Sequence, residues 1–156
     1  MKKVRDFMRC DVFFVRPNNS IFDVAKVFSQ NNISGAPVVE KGKVIGVISI
    51  SDIIKFMNLK LVDANIREPQ SLTFLFLNMI KMGKDYLGFK KELDRISKTE
   101  IKSMMSKKVV CISPEANLFE AAEIMEKNDV NRLPVVEKDK LIGIIARADL
   151  IKALIE

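Results

Sequence analysis

Pro37-Val38-Val39-Glu40-Lys41-Gly42-Lys43-Val44-Ile45-Gly46 returns as Pro134-Val135-Val136-Glu137-Lys138-Asp139-Lys140-Leu141-Ile142-Gly143, ninety-seven positions later. The offset holds without a gap from Val4/Ile101 to Lys55/Lys152, and Met8/Met105, Pro17/Pro114, Phe22/Phe119, Ala25/Ala122 and Asp52/Asp149 all match. Internal repetition decides the fold before any single element does. Two copies of a unit of about fifty residues are expected to pack about a pseudo-twofold axis, with equivalent residues meeting across it.

A chain of 156 residues suits one compact domain or two small ones in close contact. Each repeat alone buries too little surface to be secure, so mutual burial is expected. Hydrophobic content of 48% and charged content of 29% are those of an ordinary globular protein. The longest apolar runs, Val44–Ile50 and Phe74–Leu77, fall far short of the ~20 residues that a membrane-spanning helix needs. Met1-Lys2-Lys3-Val4-Arg5-Asp6 has no signal-peptide core, so a cytoplasmic protein is expected. Cys10 and Cys111 occupy unmatched repeat positions and neither sits in a CxxC spacing. With no histidine in the chain, a zinc site is not expected, and the commonest general base is missing. The chain is therefore read as no enzyme, with no metal and no cofactor. The net charge of +6 reads as a lysine-rich solvated surface that also favours anionic small molecules.

Within each copy, Val12–Val15 and Val109–Ile112 are short β-prone runs stopped by Pro17 and Pro114. Ser20 with Asp23, and Asn117 with Glu120, have capping-box spacing and open a helix. Ile21, Val24, Ala25 and Phe28 share one face of the first helix, as Leu118, Ala121, Ala122 and Met125 do in the second. Asn31-Asn32 and Asn128-Asp129 end them. Ala36–Glu40 and Val44–Ile48 then form a hairpin about Lys41-Gly42-Lys43, with Lys138-Asp139-Lys140 as its counterpart. Gly46 and Gly143 signal a bulge or a close backbone approach. A further helix begins near Ser51 and near Ala148. The expected order is strand, helix, strand, strand, helix, an α+β unit with helices on one face of a small sheet.

The domain organisation that follows is a first repeat over 1–60, a helical insertion over 61–98 and a second repeat over 99–156. In the insertion, Tyr86–Ile96 reads as a charged amphipathic helix. Leu72, Leu75, Phe76, Met79 and Ile80 form an apolar stripe, widened by Phe74 and Leu77, that must be covered. A homodimer in which this stripe meets the partner chain is expected.

Chemistry concentrates after the last strand, in Gly46-Val47-Ile48-Ser49-Ile50-Ser51-Asp52. Ser49-x-x-Asp52 reads as a helix cap with its reciprocal acid. It reads equally as a nucleotide holder, in which the helix N-terminus attracts phosphate and the carboxylate accepts two ribose hydroxyls. The second copy, Gly143-Ile144-Ile145-Ala146-Arg147-Ala148-Asp149, has lost the hydroxyl and kept the acid. Reciprocal capping gives no obvious reason to keep Asp149 beside an alanine, which favours the ligand reading.

These motifs together resemble the cystathionine β-synthase (CBS) domain, and two copies resemble a CBS pair, or Bateman module. The resemblance covers both repeats and omits the central segment. It implies a non-catalytic regulatory module that binds AMP, ADP or ATP, and less often S-adenosylmethionine, in a groove between the repeats. Asp52 and Asp149 would take ribose and Ser49 would face phosphate, with the Asp52 site the better formed because Ala146 departs from the motif. Ser34, Gly35 and Ala36, with Asn131, Arg132 and Leu133, would line the base pockets through their backbone. Asn131-Arg132-Leu133-Pro134 looks like the His-Arg-Leu-Pro stretch of nucleotide-sensing members, which implies that Arg132 contacts phosphate. Arg16 and Ser113, ahead of the two prolines, and Arg147 in the second turn complete the candidate set. The rival reading is a ligand-free scaffold acting through Leu72–Met82. Nucleic-acid binding through Lys81, Lys84, Lys90, Lys91, Lys98, Lys102, Lys107 and Lys108 lacks the aromatic interleaving that stacking needs.

Overall fold

In the computed structural model, residues 1–61 and 86–155 are described. The expected apolar stripe over Leu72–Met82, and the dimer contact assigned to it, lie outside the described residues. The elements are α1 (Val4–Phe7), α2 (Ile21–Asn31), β1 (Gly35–Glu40), β2 (Lys43–Ser49), α3 (Ile50–Leu61), α4 (Tyr86–Ser97), a 3-10 turn at Ile101–Ser103, α5 (Leu118–Lys127), β3 (Arg132–Glu137), β4 (Lys140–Ala146) and α6 (Arg147–Ile155). β1 pairs with β2 and β3 with β4, giving two two-stranded sheets in a mixed helix and strand fold. The amphipathic helix expected in the insertion is α4, whose Ile96 is buried.

Local chemistry explains most boundaries. Ser20 and Asn117 accept the amides of Asp23 and Glu120, whose carboxylates return to the cap amides, so both capping boxes are closed. At the far ends the Asn31 and Asn128 side-chain amides donate to the carbonyls of Val27 and Ile124, each at 2.8 Å. Asn32 and Asp129 then turn left-handed, at φ 51° and 52°. The hairpin loops are two residues long. Lys41 and Gly42 have φ of 51° and 82°, and Lys138 and Asp139 have 50° and 65°, the positive pair that a type I′ turn requires.

The β-prone runs ahead of the prolines do not become strands. Each is reduced to one bridging residue, Val15 beside Val38 and Ile112 beside Val135, both parallel. Val15 donates to the Pro37 carbonyl (3.0 Å) and accepts from Val39 (2.8 Å), and Ile112 repeats this with Pro134 and Val136. Pro17 and Pro114 have no N–H with which to extend the ladder.

Contacts within the chain define two units, Met1–Arg16 with Ala36–Val47 and Ser106–Glu156, and Pro17–Gly35 with Ile48–Met105. In the first unit, the segment leading the first repeat is bonded to the body of the second. Val4 donates to Ala116 (2.9 Å), Arg5 to Pro114 (3.1 Å), and Leu118 to Lys2 (3.4 Å). In the second unit the same three bonds recur at the repeat offset: Ile101 to Asn19, Lys102 to Pro17, and Ile21 to Thr99. Antiparallel bridges extend the exchange, Arg9 with Ile144 and Ser106 with Val47. The lead segment is further held by ion pairs of Lys3 and Arg5 with Glu115 and by Lys2 Nζ donating to the Ala153 carbonyl of α6 (2.7 Å). The hydrogen bond from Lys3, with the charges of Lys3 and Arg5, holds the Glu115 carboxyl below its usual range.

The core of the first unit joins Val4 to Ile112, Ala121, Met125, Leu133, Val135 and Ile145. Every repeat counterpart of these, Ile101, Val15, Val24, Phe28, Ala36, Val38 and Ile48, is also buried. Sizes trade between copies, with Leu133 for Ala36 and Ala121 for Val24. In the first unit the hairpin turns themselves meet, where Leu141 donates to the Gly42 carbonyl (3.1 Å) and Lys43 pairs with Asp139 (3.6 Å).

Gly143 satisfies both expectations attached to it. A register shift marks the β3–β4 ladder beside it, between Val135 and Val136. A Cβ there would lie 2.7 Å from Met8 Sδ and 3.1 Å from the Arg9 carbonyl oxygen. Gly143→Ala is therefore expected to lower stability by about 1–3 kcal/mol through overpacking. Urea unfolding measures it, and an unchanged midpoint would mean that the lead segment yields without cost. Asn117→Ala, which removes the α5 cap, should cost about 1 kcal/mol in the same assay.

Candidate functional site

Two strand-to-helix turns hold the candidate residues, and each lies within a single unit. In the second unit, β2 ends at Ser49 and α3 begins at once. The Ser49 amide and hydroxyl both donate to Asp52 Oδ2, at 2.8 and 2.7 Å, and Ser49 Oγ accepts the Asp52 amide at 3.2 Å. This is the cap with its reciprocal acid, as the spacing implies. All of it falls on one carboxylate oxygen. Among the described residues Oδ1 has no donor, and the side chain is half-buried. Ser34 closes the turn, its carbonyl accepting the Ile50 amide at 2.9 Å. Gly35 lies against the same strand end, where a Cβ would sit 3.2 Å from the Ile48 carbonyl oxygen.

The first unit repeats the arrangement at the end of β4. Asn131 accepts the Arg147 amide at 3.0 Å, the counterpart of the Ser34–Ile50 bond. Asp149 Oδ2 accepts the Ala146 amide at 2.9 Å. Half of the capping interaction thus survives the loss of the hydroxyl. Asp149 Oδ1 faces Arg9 Nη2 at 3.4 Å, and Asp149 is 4% exposed. Asp149 therefore has a structural reason to persist beside an alanine, and its retention is no longer a sign of ligand binding. Spacing alone could not show Arg9, which is 140 positions away from its acid.

The structure gathers Ser34, Gly35, Ser49 and Asp52 about one turn and Asn131, Arg132, Arg147 and Asp149 about the other. Arg132 opens β3 directly opposite Ala146 in the ladder. Arg132 and Arg147 are both exposed. Leu133 and Ala36 follow their turns, but both side chains are buried, so only their backbone is available to a ligand. Arg16 and Ser113 follow the bridging Val15 and Ile112, and both are exposed. The Ser113 hydroxyl accepts the Glu115 amide at 3.2 Å.

Elsewhere the chemistry is sparse. No cluster of acidic or thiol side chains suited to a metal ion occurs among the described residues. Cys10 is exposed and Cys111 partly buried, with burial pushing the Cys111 thiol pKa up, away from the reactive thiolate. Among the described residues no helix is long and apolar enough to cross a membrane.

Known proteins match this architecture. Over 154 residues the chain is 38% identical to the uncharacterized protein MJ1426 of Methanocaldococcus jannaschii, covering 97% of this chain and 90% of that one. CBSX2 of Arabidopsis thaliana, solved in complex with AMP, aligns with a TM-score of 0.67 at 21% identity, over 99% of this chain and 97% of that one. The CBS domain pair of protein MJ0100, solved with 5′-methylthioadenosine and S-adenosyl-L-methionine, aligns with a TM-score of 0.65 at 20% identity, over 99% and 96% of the two chains. At such identities these two structures show likeness of fold. The CBS domain family model matches residues 4–59 and 101–156, both copies of the repeat, and the chain belongs to that family.

Proposed function

We propose that the chain is a non-catalytic regulatory module that binds an adenosine-containing ligand, AMP, ADP or ATP before S-adenosylmethionine, and passes its occupancy to a partner protein. The observation that carries this reading is Asp52 Oδ1, a carboxylate oxygen at the opening of α3 that has no donor among the described residues. Because Oδ2 alone holds the cap, ribose hydroxyls can donate to Oδ1 without dismantling the turn. The N-terminal end of α3 favours a phosphate, and the Ser49 hydroxyl, whose single O–H is held by Asp52 Oδ2, would turn from the acid to donate to it. CBSX2 with AMP and MJ0100 with two adenosine derivatives support the ligand class. A groove between the repeats as the place of binding rests on the family resemblance, as do the homodimer and the regulated partner. A cytoplasmic location belongs to the same reading. Binding would act by favouring one arrangement of the repeats over another, by as much as its affinities for the two differ.

Thermal denaturation against AMP, ADP, ATP, S-adenosylmethionine and 5′-methylthioadenosine tests the ligand class. A ligand at a hundred times its dissociation constant stabilises by about 2.7 kcal/mol, a clear rise in melting temperature. No rise with any of the five removes the reading. Asp52→Ala should weaken the binding of AMP by more than about ten-fold in calorimetry, and Asp149→Ala by less. Equal affinity would leave Asp52 with its capping role alone. Arg132→Ala should weaken AMP far more than adenosine, since a charge-assisted contact to phosphate contributes about 1.5–3 kcal/mol. A uniform loss for both ligands would make Arg132 a wall of the pocket.

A further inference from the structure

The two turns differ in more than one hydroxyl. β4 has a neighbour on each side: the lead segment bridges it at Ile144 through Arg9, and β3 pairs with it at Ala146 through Arg132. Arg147 follows at the first position of α6. The end of β4 is therefore flanked by three arginines, and at the repeat offset their counterparts are Ser106, Gly35 and Ile50. Where the Asp149 turn lacks the serine hydroxyl, it gathers cations, two from the second copy and Arg9 from the first, that the equivalent positions of the Asp52 turn do not supply.

Arg9 is the one whose position the backbone fixes most directly toward the acid. Its amide and carbonyl both bond to Ile144, each at 2.9 Å, two residues before the turn. Its guanidinium engages Asp149 through one nitrogen at 3.4 Å, at the edge of hydrogen-bond range, and the side chain stays 63% exposed. A guanidinium has five N–H donors in a planar fork, so most of its capacity is unspent and faces solvent. Asp149 Oδ1, the atom that corresponds to the Asp52 oxygen with no donor among the described residues, is the atom Arg9 covers.

We propose that Arg9 is the specificity-determining residue of a second ligand site at the Asp149 turn, one that admits phosphorylated adenosine compounds and turns away the neutral nucleoside. The phosphate offers the guanidinium a better anion, with bidentate geometry, than the single long contact to Asp149. As Arg9 turns to the phosphate, Oδ1 is released to accept the ribose hydroxyls. A neutral nucleoside brings nothing to draw Arg9 away and must compete with it for the same oxygen. Among the described residues the first turn has no such cover, so the two sites differ in the ligand charge they demand. This inference rests on the adenosine-binding reading given above and deepens it, by assigning to Arg9 the ligand selectivity of the Asp149 turn.

Calorimetry with AMP and with adenosine, on full-length protein carrying Asp52→Ala to silence the first turn, tests it. Adding Arg9→Ala should weaken AMP by about ten-fold and leave adenosine bound as well as before or better. Arg9→Gln should behave like Arg9→Ala, and Arg9→Lys should recover part of the preference for AMP. Melting temperatures of each variant show whether the fold survives. Should Arg9→Ala not fold, the glutamine and lysine variants decide by the same ratio. Equal loss for both ligands would make Arg9 a structural prop and overturn the proposal, as would affinities that do not change. If wild-type protein binds AMP and the Asp52→Ala protein does not, the Asp149 turn is no site, and the adenosine reading stands on the first turn alone. If wild-type protein binds neither ligand, the adenosine reading itself falls.

Discussion

A backbone exchange between repeats governs this structure. Val4 and Arg5 satisfy their amides on Ala116 and Pro114, and Ile101 and Lys102 satisfy theirs on Asn19 and Pro17. These donors sit in segments too short to be stable helices by themselves, four residues in α1 and three in the 3-10 turn. Val4 and Ile101, both fully buried, anchor them. Neither repeat can complete its body with its own lead segment. Closing the first of these contacts spans more than a hundred residues of chain, so folding must bring distant parts together before either core is whole. The units defined by contact accordingly cut across the repeats.

This exchange also explains what could and could not be read from the sequence. Helix starts, helix stops and hairpin loops depend on neighbours three or four positions away, and Ser20, Asn117, Asn32, Asp129 and Lys41-Gly42 each carry that information locally. The β-prone runs before Pro17 and Pro114 were legible as extended chain. Their reduction to single bridges comes from the prolines, whose effect is visible but whose extent is not. The exchanged leads were illegible, because nothing in Val4–Phe7 names Ala116 as an acceptor. For the site, the turn residues were legible through the repeat. Arg9 was not, since its acid is reached only through the exchange. One signal was available: at aligned positions the chain swaps Ser106 for Arg9 as well as Ser49 for Ala146, and paired departures suggest a shared cause.

The two copies diverge in different currencies at different depths. In the core they trade volume, Ala36 against Leu133 and Val24 against Ala121, and every member stays buried. Close packing leaves little spare volume, so each swap must be absorbed by its own surroundings. At the turns they trade charge instead. Gly35 against Arg132 and Ile50 against Arg147 alter what lies at the strand end without disturbing the backbone bonds, Ser34 to Ile50 and Asn131 to Arg147, that form it. The scaffold is thus held constant by main chain, and specificity is free to vary in side chains.

The acid at each turn links these levels. In both copies one carboxylate oxygen is committed to main-chain amide, Ser49 or Ala146, and so fixes the first turn of the following helix. The other oxygen is the variable part. In the first copy it has no donor among the described residues; in the second it faces Arg9. A ligand that uses this second oxygen therefore meets a carboxylate already oriented and already partly desolvated, at little cost in ordering. Capping and binding are not rival readings of Ser49-x-x-Asp52. The cap is what holds the carboxylate still, and the divided use of its two oxygens is what leaves it something to bind with.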